Sequence, residues 1–127
     1  MTRASAQASV DHMGEYVAKL YRAGVPIVAG TDGYGMEIVR ELELYVKGGL
    51  TPAEALATAT IIAARNVKAD ERTGSIAVGK EADLLLVDGD PETTIGDLRH
   101  VDQVMSDGVL MDGDALREAA GFGGKPK

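Results

Sequence analysis

The chain has 127 residues, of which 45% are hydrophobic and 26% charged, a balance typical of chains that fold around a core. This length is well below the roughly 250 residues of a closed (β/α)₈ barrel, so any barrel element here is expected to be incomplete. The net charge of -7, with no Lys and Arg cluster among aromatic residues, argues against nucleic acid or an anionic membrane as a partner.

The absence of cysteine excludes disulfides, thiolate metal ligands and a thiol nucleophile. The sequence also shows no apolar signal-peptide core and no run of about 18 apolar residues that would span a membrane. We therefore expect a soluble protein, with the cytoplasm as the favoured location.

The first predicted elements are a helix and a strand. Apolar residues recur at steps of three and four between Val10 and Ala23, which predicts an amphipathic helix. Ser9 is expected to cap its start and Gly24 to end it. The continuously apolar segment VPIVAG at 25–30 is typical of a strand buried on both faces.

Two further helices are predicted next. One runs from Met36 to Lys47 and is ended by the following glycines. The other starts at a capping box of Thr51, Pro52 and Glu54 and continues to about residue 67. Its predicted buried residues are Ala53, Leu56, Ala57, Thr60, Ala63, Ala64 and Val67.

The last part of the chain is typical of short strands and turns. A strand is predicted at Leu84–Val87, and a hairpin joins 101–105 to 109–111 around Asp107 and Gly108. A short helix from Asp114 to about residue 119 should follow. The residues predicted to be buried are Ile27, Val28, Leu42, Leu56, Leu85 and Val87.

Asp32 is the main candidate for chemistry, because it directly follows a predicted buried strand. The active sites of α/β folds lie where strands end, so its carboxylate could bind a metal or carry a proton. The alternative from position alone is a turn with Gly33. His12 and His100 are the only histidines, and neither has a partner at metal-ligand spacing, so both are expected at the surface.

Other motifs give weaker signals. Asp83, Asp88 and Asp90 flank a strand and a turn, where aspartate commonly bonds its own backbone; a calcium site is the less favoured interpretation. The segment GTDGYG lacks the spacing of a nucleotide-binding loop, and the sequence contains no G-x-S-x-G elbow.

Three motifs together resemble the C-terminal part of the amidohydrolase superfamily, in its imidazolonepropionase-like and Xaa-Pro dipeptidase-like branch. They are AGVPIVAGTD at 23–32, RELELYVKGGLTPAEALATAT at 40–60 and TGSIAVGKEADLLLVDGDP at 73–91. The resemblance covers about residues 10–112, and the order of the motifs makes it specific.

This resemblance implies an α/β fold. Residues 1–70 would form the C-terminal part of a (β/α)₈ barrel, with the last barrel strand and its closing helices. Residues 71–112 would supply strands of a small β-sandwich, and 113–127 a short helix and a loose tail.

The resemblance also implies a function: hydrolysis of C–N bonds in a dipeptide, a cyclic amide or an N-acyl amino acid by metal-activated water. Asp32 matches the family's catalytic aspartate, a metal ligand that carries a proton from water to the leaving group. The divalent metal, expected to be zinc, would need histidine motifs that this sequence lacks, so the chain alone is expected to be inactive and to bind no metal tightly. Tyr34 would face the pocket.

Three alternatives remain open from the sequence. The chain could be one part of such an enzyme, completed by an N-terminal segment, a non-catalytic binding or assembly module derived from one, or a degraded relic. In each case an incomplete barrel exposes sheet edges, so we expect a complementary segment or a second copy of the chain as partner.

Overall fold

The computed structural model describes residues 2–33 and 37–123. Four α-helices lie in the first half of these residues, and three strands, a 3₁₀ helix and a short α-helix lie in the second. None of the described helices combines the length and apolar character that a membrane crossing requires. The predicted helix start at Met36, the loop residue Tyr34 and the last four residues of the predicted tail lie outside the described residues. The elements are α1 (Arg3–Arg22), α2 (Glu37–Lys47), α3 (Pro52–Ala59), α4 (Ile61–Asn66), β1 (Leu84–Val87), a 3₁₀ helix (Ile95–Arg99), β2 (Val101–Ser106), β3 (Val109–Asp112) and α5 (Gly113–Ala119).

Helix α1 begins earlier than predicted. Its N-cap is Thr2, whose hydroxyl accepts a hydrogen bond from the Ser5 N–H at 3.2 Å. The predicted cap, Ser9, lies inside the helix and donates its hydroxyl to the Ser5 carbonyl at 3.0 Å. Cap preference alone cannot distinguish two hydroxyl residues seven positions apart when the intervening residues also tolerate a helix. The predicted end at Gly24 is confirmed, with φ +83°.

Helices α1 and α2 cross at two glycines. A Cβ added at Gly48 would lie 2.3 Å from the carbonyl carbon and oxygen of Gly14, and Gly14 itself is buried. Glycine inside a helix costs about 1 kcal/mol relative to alanine, so its presence in α1 is explained by this close backbone approach. Lys47 donates to Asp11 at 2.5 Å beside the crossing.

The third predicted helix is divided in two. Its capping box is confirmed, since the Thr51 hydroxyl accepts from the Glu54 N–H and the Glu54 carboxylate accepts from the Thr51 N–H. Thr60, however, has φ -125° and ψ -99° and separates α3 from α4. One helical period therefore does not apply across both parts. The buried residues are Ala55, Thr58 and Ala64, so the predicted burial of Ala64 is confirmed and that of Ala53, Thr60 and Val67, which are exposed, is wrong.

The core joins α2, α3 and the 3₁₀ helix around Leu42, Ala55 and Ile95. Leu42 is 2% exposed and Ala55 is fully buried, so the predicted burial of Leu42 is confirmed. The partly buried residues packed around this cluster are Ala29, Tyr45, Val46, Leu56, Ala59 and Leu98.

The predicted hairpin is confirmed, and it forms a three-stranded antiparallel sheet in the order β1-β2-β3. Asp107 and Gly108 both have positive φ, +49° and +76°, as a type I′ turn requires. Helix α5 packs beside the sheet through Arg117, which donates to the carbonyls of Arg99 and Val101. Its N-cap is Asp112, which accepts from the Ala115 N–H at 2.8 Å, and not Asp114, which pairs with Arg117.

The apolar segment 25–30 does not form a strand in the described structure, contrary to the prediction. A strand needs a partner for its ladder, and the sheet formed by β1 to β3 lies elsewhere. Val28 is 39% exposed and Leu85 on β1 is 57% exposed, so their predicted burial is also wrong. Both lie on surfaces that the described residues leave uncovered. The mixed helix and strand content agrees with the α/β class, whereas the barrel and sandwich stay predictions.

Gly48→Ala should destabilise the chain. The new methyl group would meet the Gly14 backbone at 2.3 Å, and forced overpacking costs about 1–3 kcal/mol. Urea unfolding measures the change. Gly30→Ala is the matched control, since its Cβ meets nothing within 4 Å. Equal stability of both variants would contradict the close crossing.

Glu54 should make stability depend on pH. The Arg22 guanidinium and then the Thr51 N–H lower the pKa of Glu54 from 4.5 to about 2. Because the folded-state pKa is the lower one, this carboxylate stabilises the fold above pH 4.5, and the contribution is lost as the pH falls toward about 2. Urea unfolding across that range should show a shallower decline for Glu54→Gln than for the parent chain. Parallel profiles would refute the assignment.

The chain should self-associate at micromolar concentration. Leu85 and Leu86 on β1 and Leu110 on β3 are exposed on the two edge strands, and exposed apolar edges favour pairing with another chain. Sedimentation velocity should give a mass above 13.3 kDa. Leu85→Lys should shift the distribution toward the monomer. A compact monomer of the unmodified chain would contradict this expectation.

Candidate functional site

Asp32 lies at the end of the irregular segment that follows α1. Its side chain is exposed, and so are the neighbouring residues Thr31 and Gly33. The structure therefore leaves the carboxylate accessible to a ligand. This position is compatible with the proposed role in catalysis and also with a simple turn.

Two hydrogen bonds hold the backbone just before Asp32. The Ala29 N–H donates to the Thr58 carbonyl on α3 at 3.1 Å. The Gly30 N–H donates to the Glu41 carboxylate on α2, also at 3.1 Å. Since Ala29 also packs against the core, the segment is attached to both helices two and three residues before Asp32.

Glu41 is itself held by a neighbour on α2. The Tyr45 hydroxyl donates to the same oxygen, Oε1, that accepts from Gly30. Burial raises the pKa of Tyr45 well above its usual range, and the adjacent Glu41 carboxylate adds to this. Tyr45 therefore remains a neutral donor at physiological pH. The Glu41 Oε1 atom thus joins the segment before Asp32 to Tyr45, which packs against the core.

Glu43, two residues after Glu41 on α2, makes a separate contact. Its carboxylate accepts from Arg99 of the 3₁₀ helix and from Arg40, the latter at 3.2 Å. Arg99 is the main cause that lowers the pKa of Glu43. This ion pair joins α2 to the second half of the chain and leaves Glu41 available to the Asp32 segment.

The two histidines, His12 and His100, do not form a metal site with Asp32 in the described structure. Within residues 2–33 and 37–123, no three His, Asp or Glu side chains are close enough to hold a metal ion. His12 is exposed on α1, 3.8 Å from Glu15. His100 is half-buried between the 3₁₀ helix and β2, and its backbone carbonyl accepts from the Asp88 N–H. The described residues alone therefore do not fit a bound metal.

Among the aspartates near β1, Asp90 acts in a turn, as the sequence predicts. Asp90 accepts from the Glu92 N–H at 3.1 Å and from the Thr93 hydroxyl at 2.8 Å. Asp83 accepts from the Asp107 N–H at 2.9 Å. Asp90 thus stabilises its own turn, which is the usual role of aspartate in such positions, whereas Asp83 bonds a backbone N–H 24 residues away.

A large apolar groove of about 810 Å³ separates the helices from the sheet. Val28, Leu56 and Ala63 line its helical side, and Leu85 and Val104 line the side of the sheet. Val28 is one of the described residues that line the groove, whereas Asp32 does not line it. The groove therefore marks uncovered apolar surface beside the segment that leads to Asp32.

Sequence reasoning missed Glu41 and Tyr45. A usable signal exists, since Glu41 lies four residues before Tyr45 in the helix predicted from Met36 to Lys47. Residues four apart share a helical face, so a carboxylate there points toward whatever that face covers. The acceptor it serves, the Gly30 N–H, could not be identified from spacing.

Comparison with known proteins gives consistent matches. An imidazolonepropionase of Thermoplasma volcanium is 33% identical over 78 residues, which is 58% of this chain and 19% of that protein. An imidazolonepropionase of Streptococcus pyogenes is 39% identical over 77 residues, 55% of this chain and 18% of that protein. The crystal structure of a Xaa-Pro dipeptidase with methionine bound in its active site matches with a TM-score of 0.73. That match has 34% identity and covers 79% of this chain and 25% of the dipeptidase.

The chain thus spans about a fifth of the length of these curated relatives and about a quarter of the dipeptidase. The resemblance noted from the three sequence motifs is confirmed by these matches. The amidohydrolase family model matches residues 4–111, which is most of the chain. The chain therefore belongs to the amidohydrolase family.

Proposed function

We propose that the protein carrying this chain hydrolyses a C–N bond in a small molecule and that Asp32 carries the proton in this reaction. The observation that supports the proposal most is the match of the family model over residues 4–111, which includes Asp32. The relatives include an Xaa-Pro dipeptidase and imidazolonepropionases. A dipeptide, a cyclic amide or an N-acyl amino acid is accordingly the proposed class of substrate.

The proposed step at Asp32 follows from carboxylate chemistry. Water that attacks the carbonyl carbon must lose a proton, and the departing nitrogen must gain one. An accessible carboxylate can accept the first proton and then donate it to the nitrogen, so that one group serves both transfers. The exposure of Asp32 and the attachment of the preceding backbone to α2 and α3 support this assignment.

Because the chain belongs to the amidohydrolase family, we propose that the reaction uses a divalent metal, zinc. Asp32 would be its only ligand from the described residues, and one carboxylate is too few for a catalytic zinc site, which takes three protein ligands. We therefore propose that other segments of the whole protein supply the remaining ligands, and that this chain alone is inactive. The division into barrel residues 1–70, sandwich residues 71–112 and a C-terminal helix is part of the same proposal.

The test is Asp32→Asn in the whole protein, assayed with zinc present on methionyl-proline, imidazolonepropionate and an N-acetyl amino acid. Asparagine is nearly isosteric but cannot carry the proton, so kcat should fall by roughly 10²- to 10⁴-fold. Asp107→Asn is the matched control, because asparagine tolerates the positive φ of +49° at that turn.

Near-normal turnover by Asp32→Asn would show that Asp32 is only a turn residue. If the parent protein hydrolysed none of the three substrate classes, the alternative of a non-catalytic binding or assembly module would be favoured instead.

A further inference from the structure

Glu41 links the helix scaffold to the backbone that carries Asp32. Its Oε1 atom accepts from the Gly30 N–H at 3.1 Å and also from the Tyr45 hydroxyl. Gly30 lies only two residues before Asp32, whereas Glu41 lies eleven residues after Gly30 on another element. A contact of this kind restricts the direction in which the chain leaves residue 30.

The carboxylate is well suited to this contact. A hydrogen bond from a backbone N–H to an ionised acceptor is stronger than one between neutral groups. Glu41 is itself partly buried and Tyr45 is packed against the core cluster, so the acceptor cannot move freely with the loop. The second donor therefore fixes the carboxylate, and the carboxylate fixes Gly30.

The contact uses the backbone of Gly30 and does not depend on glycine. A Cβ at this position would meet nothing within 4 Å, and the residue requires no special φ. The neighbouring Ala29 N–H is already committed to the Thr58 carbonyl. Glu41 thus provides the last described hydrogen bond to the backbone before Asp32.

We propose that Glu41, held by Tyr45, is a positioning residue that sets the placement of Asp32 through the Gly30 amide. This inference rests on the proposed function, because it assigns Glu41 a role only if Asp32 acts in the reaction. Glu41 touches neither substrate nor reacting atoms in this assignment; it acts through the backbone. Misplacement of a catalytic group by about 1 Å can cost about 100-fold in rate.

The experiment compares Glu41→Ala, Glu41→Gln and Asp32→Asn in the whole protein, with methionyl-proline, imidazolonepropionate and an N-acetyl amino acid as substrates. Glu41→Ala should lower kcat by roughly 10- to 100-fold and change KM by less than about threefold. Glu41→Gln keeps an oxygen acceptor and should recover most of the lost kcat. Hydrogen exchange of the Gly30 amide should be faster in Glu41→Ala and near the parent rate in Glu41→Gln.

The matched control is Glu43→Ala, which removes the contacts to Arg99 and Arg40 on the same helix. It should reduce stability and leave kcat near the parent value. If Glu41→Ala fails to fold, Tyr45→Phe provides the test, because it keeps the ring in the core and removes the second donor. That variant should lower kcat by a smaller factor and speed exchange at Gly30.

The outcomes separate the two proposals. Loss of turnover in Asp32→Asn with normal kcat in Glu41→Ala would overturn the positioning role and leave the proposed function standing. Turnover retained by Asp32→Asn would refute the proposed role of Asp32 and the positioning role of Glu41 with it, although hydrolysis itself would stand. A Glu41→Gln variant as impaired as Glu41→Ala, or an equal loss of kcat in Glu43→Ala, would indicate a general structural effect and overturn the inference.

Discussion

The burial of Leu42 and Ala55 against Ile95 determines how the described parts of the chain are arranged. Small residues on α3 let this helix approach α2 closely, and the 3₁₀ helix closes the cluster from the second half of the sequence. Close-packed interiors permit little displacement of one element without the others. The position of α2 is therefore fixed on one side by this cluster and on another by the glycine crossing with α1.

This constraint reaches Asp32 through a short path. Ala29 packs against the same cluster, its N–H bonds to α3, and the next N–H bonds to α2. A candidate catalytic group thus lies on an exposed loop whose preceding residues are attached to a rigid scaffold. Functional side chains are commonly placed on loops supported in this way. The chain keeps the carboxylate accessible while its backbone remains anchored.

The surface of the sheet shows the opposite behaviour. Strands β1 and β3 expose leucines and form the two edges of the described sheet. The large groove beside Val28 is lined mainly by apolar side chains. Apolar surface of this extent in a folded chain commonly marks an interface. The chain spans about a quarter of the dipeptidase that it resembles, and the ladder partners expected for segment 25–30 are not among the described strands.

Local chemistry explains what the sequence determined by itself. The capping box at Thr51, the turn at Asp107 and Gly108, the helix end at Gly24 and the burial of Leu42 depend on neighbouring residues or on one helical period, and all are confirmed. The family followed from three motifs in a fixed order, which the family match confirms. The position of Asp32 after an apolar segment was also readable, although its role stays a proposal.

Only the tertiary structure decided the features that depend on residues far apart in sequence. Tertiary packing buries Ala55 and Thr58 on α3, whereas Thr60, where the third predicted helix breaks, is exposed. Segment 25–30 has the composition of a strand, but strand formation requires hydrogen bonds from another strand, which composition does not supply. The link from Glu41 to Gly30 likewise joins two elements. Spacing along the chain placed Glu41 on a helical face, whereas the group it contacts was set by how α2 packs against the segment before Asp32.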